Sequence, residues 1–220
     1  IESFVENNIL SGAMTGNKRL SKWGRSSKQI SIDYFEARGK LKQSLEVLGI
    51  ETIDKPLTNK NIMHPGRTSE IYIEGKSIGF FGQIHPSLSE RFDLIKETYL
   101  FILEYDPLIK AATRKNNWTR IYKDYPTVPF MERDIALIHS KKYSSLEIIN
   151  LIKKSGKPLL EKVELIDRYE GSSIPDNSIS QAFRIRYRNT KKTLAEEDIN
   201  PIHEKIRNIL KEKIKAELRS

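Results

Sequence analysis

Three arginines alternate with apolar residues in the stretch QAFRIRYRNTKK, residues 181 to 192, and two lysines follow them. As a strand this pattern sends Phe183, Ile185 and Tyr187 to one face and Arg184, Arg186 and Arg188 to the other, because successive strand side chains point to opposite sides. A row of guanidiniums can grip phosphates through paired N–H donors or stack on unpaired bases, as sheet platforms do when they hold single-stranded RNA. The same row can instead neutralise carboxylates on neighbouring strands of a solvated sheet. Composition leaves both readings open. Aromatic residues on the cationic face would favour RNA, and Tyr169, at the end of IDRYEG, is the one obvious candidate. Lys191 and Lys192 would extend such a surface toward phosphates.

The histidines offer less chemistry. His64 and His85 each precede a proline, in MHPGR and IHPSL. A residue before proline is pushed toward extended or turn geometry, so both read as structural turns rather than metal or acid–base groups. Neither His139 nor His203 belongs to a His-Glu-x-x-His pattern, and no metal is assigned. The chain has no Gly-x-Ser-x-Gly elbow and no glycine-rich loop of the Walker or dinucleotide type; Gly75, Gly79 and Gly82 are spaced for a hairpin and its exit. With no cysteine at all, thiolate nucleophiles, disulfides and iron–sulfur clusters are excluded, and a reducing compartment is compatible. No catalytic site and no bound cofactor are expected within this chain.

The elements that would position the arginines come next. A length of 220 residues leans toward two domains of about 100 residues each. The apolar runs fall well short of the ~18 residues a membrane helix needs. A net charge of +9 suggests a polyanionic partner. Divided at residue 119, the first part has 17 Lys+Arg against 14 Asp+Glu, an excess of +3; the second has 21 against 15, an excess of +6. The chain opens at IESFVENN with neither an initiator Met nor a signal-peptide pattern, and so reads as a piece of a longer protein.

Residues 1 to 30 read as short strands and loops. From the N-cap candidate Asp33, YFEARGKLKQSLEVLG places Tyr34, Leu41, Leu45 and Leu48 on one helix face and stops at Gly49. SEIYIEGKSIGFFGQI forms a hairpin around Glu74-Gly75-Lys76. TYLFILEYD is apolar enough for a strand buried on both faces. The polar run ATRKNNWTRIYKD reads as a linker, which divides the chain into domains 1–115 and 116–220. Beyond it come a strand (RDIALIH), a helix closed by Gly156 (SSLEIINLIKKSG), two strands (LLEKVELIDRYEG and ISQAFRIRYRN), a helix (EEDINPIHEKIRNILKEKI) and a short terminal segment. This is the β-α-β-β-α-β order of the ferredoxin-like plan. Right-handed crossovers put both helices on one side of the sheet and leave the other open, with residues 182 to 188 through its middle.

Two sets of segments resemble a known family. YPTVPFMERDIALI, LLEKVELIDRYEG, QAFRIRYRNTKKTLAEEDI and AELR are similar to the ferredoxin-fold anticodon-binding domain that ends phenylalanyl-tRNA synthetase beta chains. WGRSSKQISIDYFEARGKLKQSLEVLGI, HPGRTSEIYIEGKSIGFFGQIHPSL and FILEYDPLI resemble the end of the same chains' catalytic-like core, a class II synthetase fold without catalytic residues. The resemblance, in matching order from about Trp23 onward, implies an α+β chain: an incomplete class II synthetase-like antiparallel sheet domain followed by the ferredoxin-like domain.

It further implies that this is the C-terminal part of a beta subunit that binds the anticodon region of tRNA(Phe). The alpha subunit of an (αβ)2 enzyme would carry ATP- and magnesium-dependent aminoacylation, and the editing and metal-binding domains would lie upstream. The compartment implied is a bacterial-type cytoplasm or a plastid stroma. Position by position, Arg133 and Asp134 match the family's Arg-Asp, Tyr169, Glu170 and Gly171 its Tyr-Glu-Gly, and Arg184 and Arg188 its basic or polar third-strand sites. The resemblance and the cationic strand pattern together give an expected tRNA-binding set of Arg133, Tyr169, Arg184, Arg186, Arg188, Lys191 and Lys192. Arg186 departs from the smaller polar residue of the family. Ala195 stands where the family has a capping hydroxyl, a loss worth about 1 kcal/mol, and Pro201 should kink the last helix or delay its start. The rival is a structural protein-interaction module with no RNA role.

Overall fold

Glu74 and Gly75 both adopt positive φ, 50° and 84°, and so close a two-residue turn whose twist matches the strands on either side. In the computed structural model, which describes residues 6–18, 30–58, 60–118, 122 and 124–219, this turn joins β3 (Met63–Ile73) to β4 (Lys76–Ile84). The chain forms two compact units, residues 1–122 and 123–220.

In the first unit, β1 (Ile9–Met14), β2 (Ile53–Pro56), β3, β4 and β5 (Tyr99–Glu104) make an antiparallel sheet in the order β1-β5-β4-β3-β2. Gly79 lets β4 and β5 approach closely: at φ 140° it has no room for a Cβ, which would lie 2.0 Å from the Ile102 carbonyl oxygen. Helix α1 (Tyr34–Val47) starts at Asp33, whose carboxylate accepts the Glu36 N–H at 2.9 Å. Its buried stripe is Ala37, Arg38, Leu41 and Leu45; Leu48, expected there, is instead the exposed C-cap, and Gly49 follows at φ 73°.

After β4 come α2 (Pro86–Arg91) and then, directly following β5, α3 (Tyr105–Ala112), whose Leu108 and Ala111 join the same core as Tyr99 and Leu103. Strand β5 was expected to be buried on both faces, yet Leu100 and Ile102 remain half-exposed. Both α1 and α3 contribute to the core on the Tyr99–Leu103 face, as an antiparallel sheet with one covered face permits. The expected linker run begins at the last residue of α3 and contains α4 (Lys115–Trp118). The part of the family-like segment at residues 23–29, Trp23 included, lies outside the described residues.

In the second unit, β6 (Met131–Ser140), α5 (Ser145–Ser155), β7 (Leu160–Tyr169), β8 (Ser178–Tyr187), α6 (Glu196–Ile214) and β9 (Glu217–Arg219) follow the β-α-β-β-α-β order, with the antiparallel sheet ordered β7-β8-β6-β9. The fold class is therefore α+β, as the sequence implies. Ser144 and Glu147 form a reciprocal cap at the start of α5: the serine hydroxyl accepts the Glu147 N–H and the glutamate accepts the Ser144 N–H. Ile135, Leu137, Phe183, Ile185 and Tyr187 meet Ile148, Ile152, Ile199, Ile206 and Leu210 in one core, which puts both helices on one side.

Helix α6 runs without a break from Glu196 through Pro201, so the delayed start expected from that proline does not occur. Ala195 has no side-chain acceptor, but Asp198 accepts the Ala195 N–H at 3.0 Å, which keeps half of a capping box. Burial of Ile199, Ile206, Leu210 and Ile214 offsets the one backbone bond the proline cannot make.

His203 of α6 meets the buried Tyr187 hydroxyl, Nδ1 to Oη 3.1 Å. Burial, with Arg207 adding, lowers the His203 pKa below 6.5; Glu204 opposes this and Arg133 adds slightly. Well above pH 6.5 the imidazole is neutral in both states and adds no pH dependence to stability. Below it the unfolded chain takes up the proton first, so stability should fall with pH until the lowered folded value is passed. Urea unfolding between about pH 7 and about pH 5 should show this slope, and His203→Gln should flatten it.

Candidate nucleic-acid interface

The open face of the second sheet is built in rows. Strand register sets Lys162, Arg186 and Glu132 side by side, and next to them Glu164, Arg184 and Asp134. Arg184 forks onto Asp134, with Nε at 2.9 Å and Nη2 at 2.8 Å from its two oxygens. Arg186 donates twice to Glu132, at 3.0 and 2.8 Å, and its guanidinium lies 4.0 Å from the centre of the Phe130 ring. Arg188 reaches Glu161 at 3.1 Å and the Val128 carbonyl at 3.0 Å, with Phe130 again beside it.

All three arginines are thus ion-paired, and Lys162 pairs with Glu164 at 2.7 Å. Hydrogen bonding to Arg184 holds the Asp134 carboxyl below its ordinary value, and Lys162 does the same for Glu164. The face is a mosaic of matched charges rather than a free cationic sheet. The exposed Arg184–Asp134 and Lys162–Glu164 pairs contribute little to stability, about 0–1 kcal/mol each, whereas the Arg188 side chain is largely covered.

The remaining expected residues do not join this row. Arg133 is opposite Ile185, hence on the helix side, and pairs with Glu196 in the first turn of α6. Lys192 pairs with Asp198 of the same turn at 2.7 Å. Lys191 has no ion pair among the described residues. Tyr169 stands near the far end of β7, half-exposed and opposite Ser180. Its hydroxyl occupies the space where a Cβ on Gly171 would be, which explains the spacing of Tyr-Glu-Gly. Phe130 was not expected; its one signal is its position two residues before Glu132 in PFMERD.

The other histidines serve local structure. His64 Nδ1 accepts the Gly66 N–H, and His85 Nδ1 caps α2 through the Ser87 N–H. The buried His139 ring lies between the Ser140 carbonyl and the Gln181 side chain.

Comparison with known families gives two matches that together span most of the chain. Residues 2–105 match the phenylalanyl tRNA synthetase beta chain CLM domain, and residues 126–219 match the ferredoxin-fold anticodon binding domain. This chain belongs to the phenylalanyl-tRNA synthetase beta chain family. Among curated relatives, it is 82% identical over 219 residues to the phenylalanine–tRNA ligase beta subunit of Prochlorococcus marinus (strain NATL2A), a match covering 100% of this chain and 27% of that protein. It is 47% identical to the same subunit of Synechococcus sp. (strain CC9605) over 219 residues, with the same coverage. The corresponding subunit of Prochlorococcus marinus (strain MIT 9313) is 48% identical over 212 residues, 96% of this chain and 26% of the relative. The chain thus spans about a quarter of the length of these relatives. In family terms, the paired arginines lie on the open face of the anticodon-binding fold, and Arg133 braces that fold's last helix.

Proposed function

We propose that residues 126–219 bind the anticodon region of tRNA(Phe) within a phenylalanine–tRNA ligase beta subunit. Residues 1–115, a class II synthetase-like core, pack against an alpha subunit that carries out ATP- and magnesium-dependent aminoacylation in an (αβ)2 enzyme. The match of residues 126–219 to an anticodon-binding family, on a sheet with one uncovered face, carries this reading. No three His, Asp or Glu side chains among the described residues gather to hold a metal ion. Among the same residues, no helix is long and apolar enough to cross a membrane. The cyanobacterial relatives support a cytoplasmic location.

On this reading phosphates enter by displacing carboxylates from Arg184 and Arg186, while a base stacks on Tyr169. The expected site keeps its members, Arg133, Tyr169, Arg184, Arg186, Arg188, Lys191 and Lys192, in unequal roles. Arg133 and Lys192 act through the start of α6, and Lys191 meets backbone phosphate. Titration of the chain with tRNA(Phe) and with an anticodon-loop variant, across a salt series, tests the proposal. Tighter binding of tRNA(Phe), weakening as salt rises, is expected; equal affinities would defeat the anticodon role.

One observation favours the rival interaction module: every arginine of the row already has an acidic partner. Freeing the arginines separates the readings. Glu132→Gln with Asp134→Asn removes two negative charges and releases two guanidiniums, so tRNA(Phe) should bind about tenfold more tightly at low salt. Unchanged affinity in a folded variant would favour the module without an RNA role.

A further inference from the structure

The open sheet face does not account for the positive excess of the second half of the chain, because its arginines are neutralised in place. Part of the unpaired charge lies around two clefts on the helix side. A cleft of about 360 Å³ runs along α5, with Lys154 of that helix and Lys213 of α6 on its rim and Tyr143 and Asn150 in its lining. A second cleft of about 270 Å³ shares Tyr143 and Ile214 with the first and adds Lys142 and Lys215. All four lysines are exposed, and none is ion-paired among the described residues.

Two carboxylates share these clefts. Glu147 is held in the α5 cap, 2.7 Å from the Ser144 nitrogen and 2.8 Å from its hydroxyl; Glu217 belongs to the second cleft. Lys142 lies 4.7 Å from the Tyr143 ring centre, and the Tyr143 hydroxyl donates to the Lys213 carbonyl at 3.4 Å. Lysines at helix C-termini favour the helix dipole, which explains Lys154 and Lys213 separately. The same holds for Lys215, the left-handed C-cap of α6; the dipole does not explain Lys142, in the turn before α5, which lines the second cleft together with Lys215. The second cleft also reaches Ile138 and Glu217 at the β6–β9 edge, so a single strand can pass from the sheet edge onto the helices.

We infer that Lys142, Lys154, Lys213 and Lys215 form a second phosphate-binding surface, which holds the sugar–phosphate backbone of an RNA independently of its sequence. Four exposed ammonium groups on clefts that share the Tyr143 side chain suit a phosphate chain as point charges, without the fixed fork geometry of arginine. This rests on the proposal that the unit binds tRNA, and it extends contact beyond the anticodon.

The test is the full chain with Lys142, Lys154, Lys213 and Lys215 all replaced by Gln, titrated with tRNA(Phe) and its anticodon-loop variant across a salt series. Each lost phosphate contact should flatten the slope of log affinity against log salt by about 0.7–0.9, so the four should flatten it by about 3 and weaken binding at least about tenfold at low salt. Preference for the native anticodon should survive. Unchanged slope and affinity, with that preference intact, would overturn the lysine surface alone. A lysine-dependent slope with no anticodon preference would support the surface and sink the anticodon reading. Failure of the parent chain to bind either RNA would defeat both. If polyglutamate competed as well as RNA of equal charge, the surface would be one for acidic protein and the inference would fall.

Discussion

Phe183→Ala should destabilise the second unit by about 3–5 kcal/mol and remove most of its tRNA binding under mildly destabilising conditions. Phe183 is fully buried in β8, in register with Ile135 on one neighbour and Leu165 on the other. Truncation leaves a cavity directly behind the strand that displays Arg184 and Arg186. Against a total stability of about 5–15 kcal/mol for a domain, that loss is a large fraction. Urea unfolding followed by a probe in the second unit should move to a much lower midpoint. Phe183→Leu, which keeps most of the volume, should cost under about 1.5 kcal/mol and leave affinity nearly unchanged. Equal stability of Phe183→Ala and the parent would mean that β8 is not packed against the helices.

Asp54→Ala should cost the first unit about 1–3 kcal/mol for an electrostatic reason: Arg38 is buried, while the Asp54 side chain is 34% exposed, so solvent screens part of the pair. Arg38 is 7% exposed, and its Nε and Nη2 donate to the two Asp54 oxygens at 2.7 and 2.5 Å; Nη2 also reaches the Thr52 hydroxyl. Its Nη1 is buried with no hydrogen-bond partner. Removing Asp54 leaves an uncompensated guanidinium in the core, whereas removing both charges does not. The double change Arg38→Met with Asp54→Ala should therefore recover much of the loss, and the cycle should report a coupling of more than about 1 kcal/mol. Additive effects would show that the pair is not coupled in solution.

Arg38 also shows where sequence reading reached its limit. The helical spacing of Leu41 and Leu45 marked the buried face of α1, but an arginine on that face makes sense only with Asp54, sixteen residues away and on another element. The ferredoxin-like order was legible because apolar periodicity and the stop at Gly156 marked α5, and strict alternation along Phe183, Ile185 and Tyr187 marked β8. The arginine row was legible as a row. Its partners were not, since the register that sets Glu132 beside Arg186 and Asp134 beside Arg184 is a property of pairing between strands about fifty residues apart. Arg133 was grouped with the row by resemblance, but strand alternation assigns it to the opposite side. The joined lysine clefts were invisible for a related reason: Lys142 and Lys215 are seventy-three residues apart and meet only after β6 and β9 pair.

The most direct test of the central claim is a ribonuclease footprint of tRNA(Phe) bound by this chain. Protection should cover the anticodon stem and loop, and the loop signal should weaken when Arg184 and Arg186 are both replaced by Ala. Protection confined to the acceptor end, or no protection at concentrations that saturate binding, would contradict an anticodon-binding role for residues 126–219.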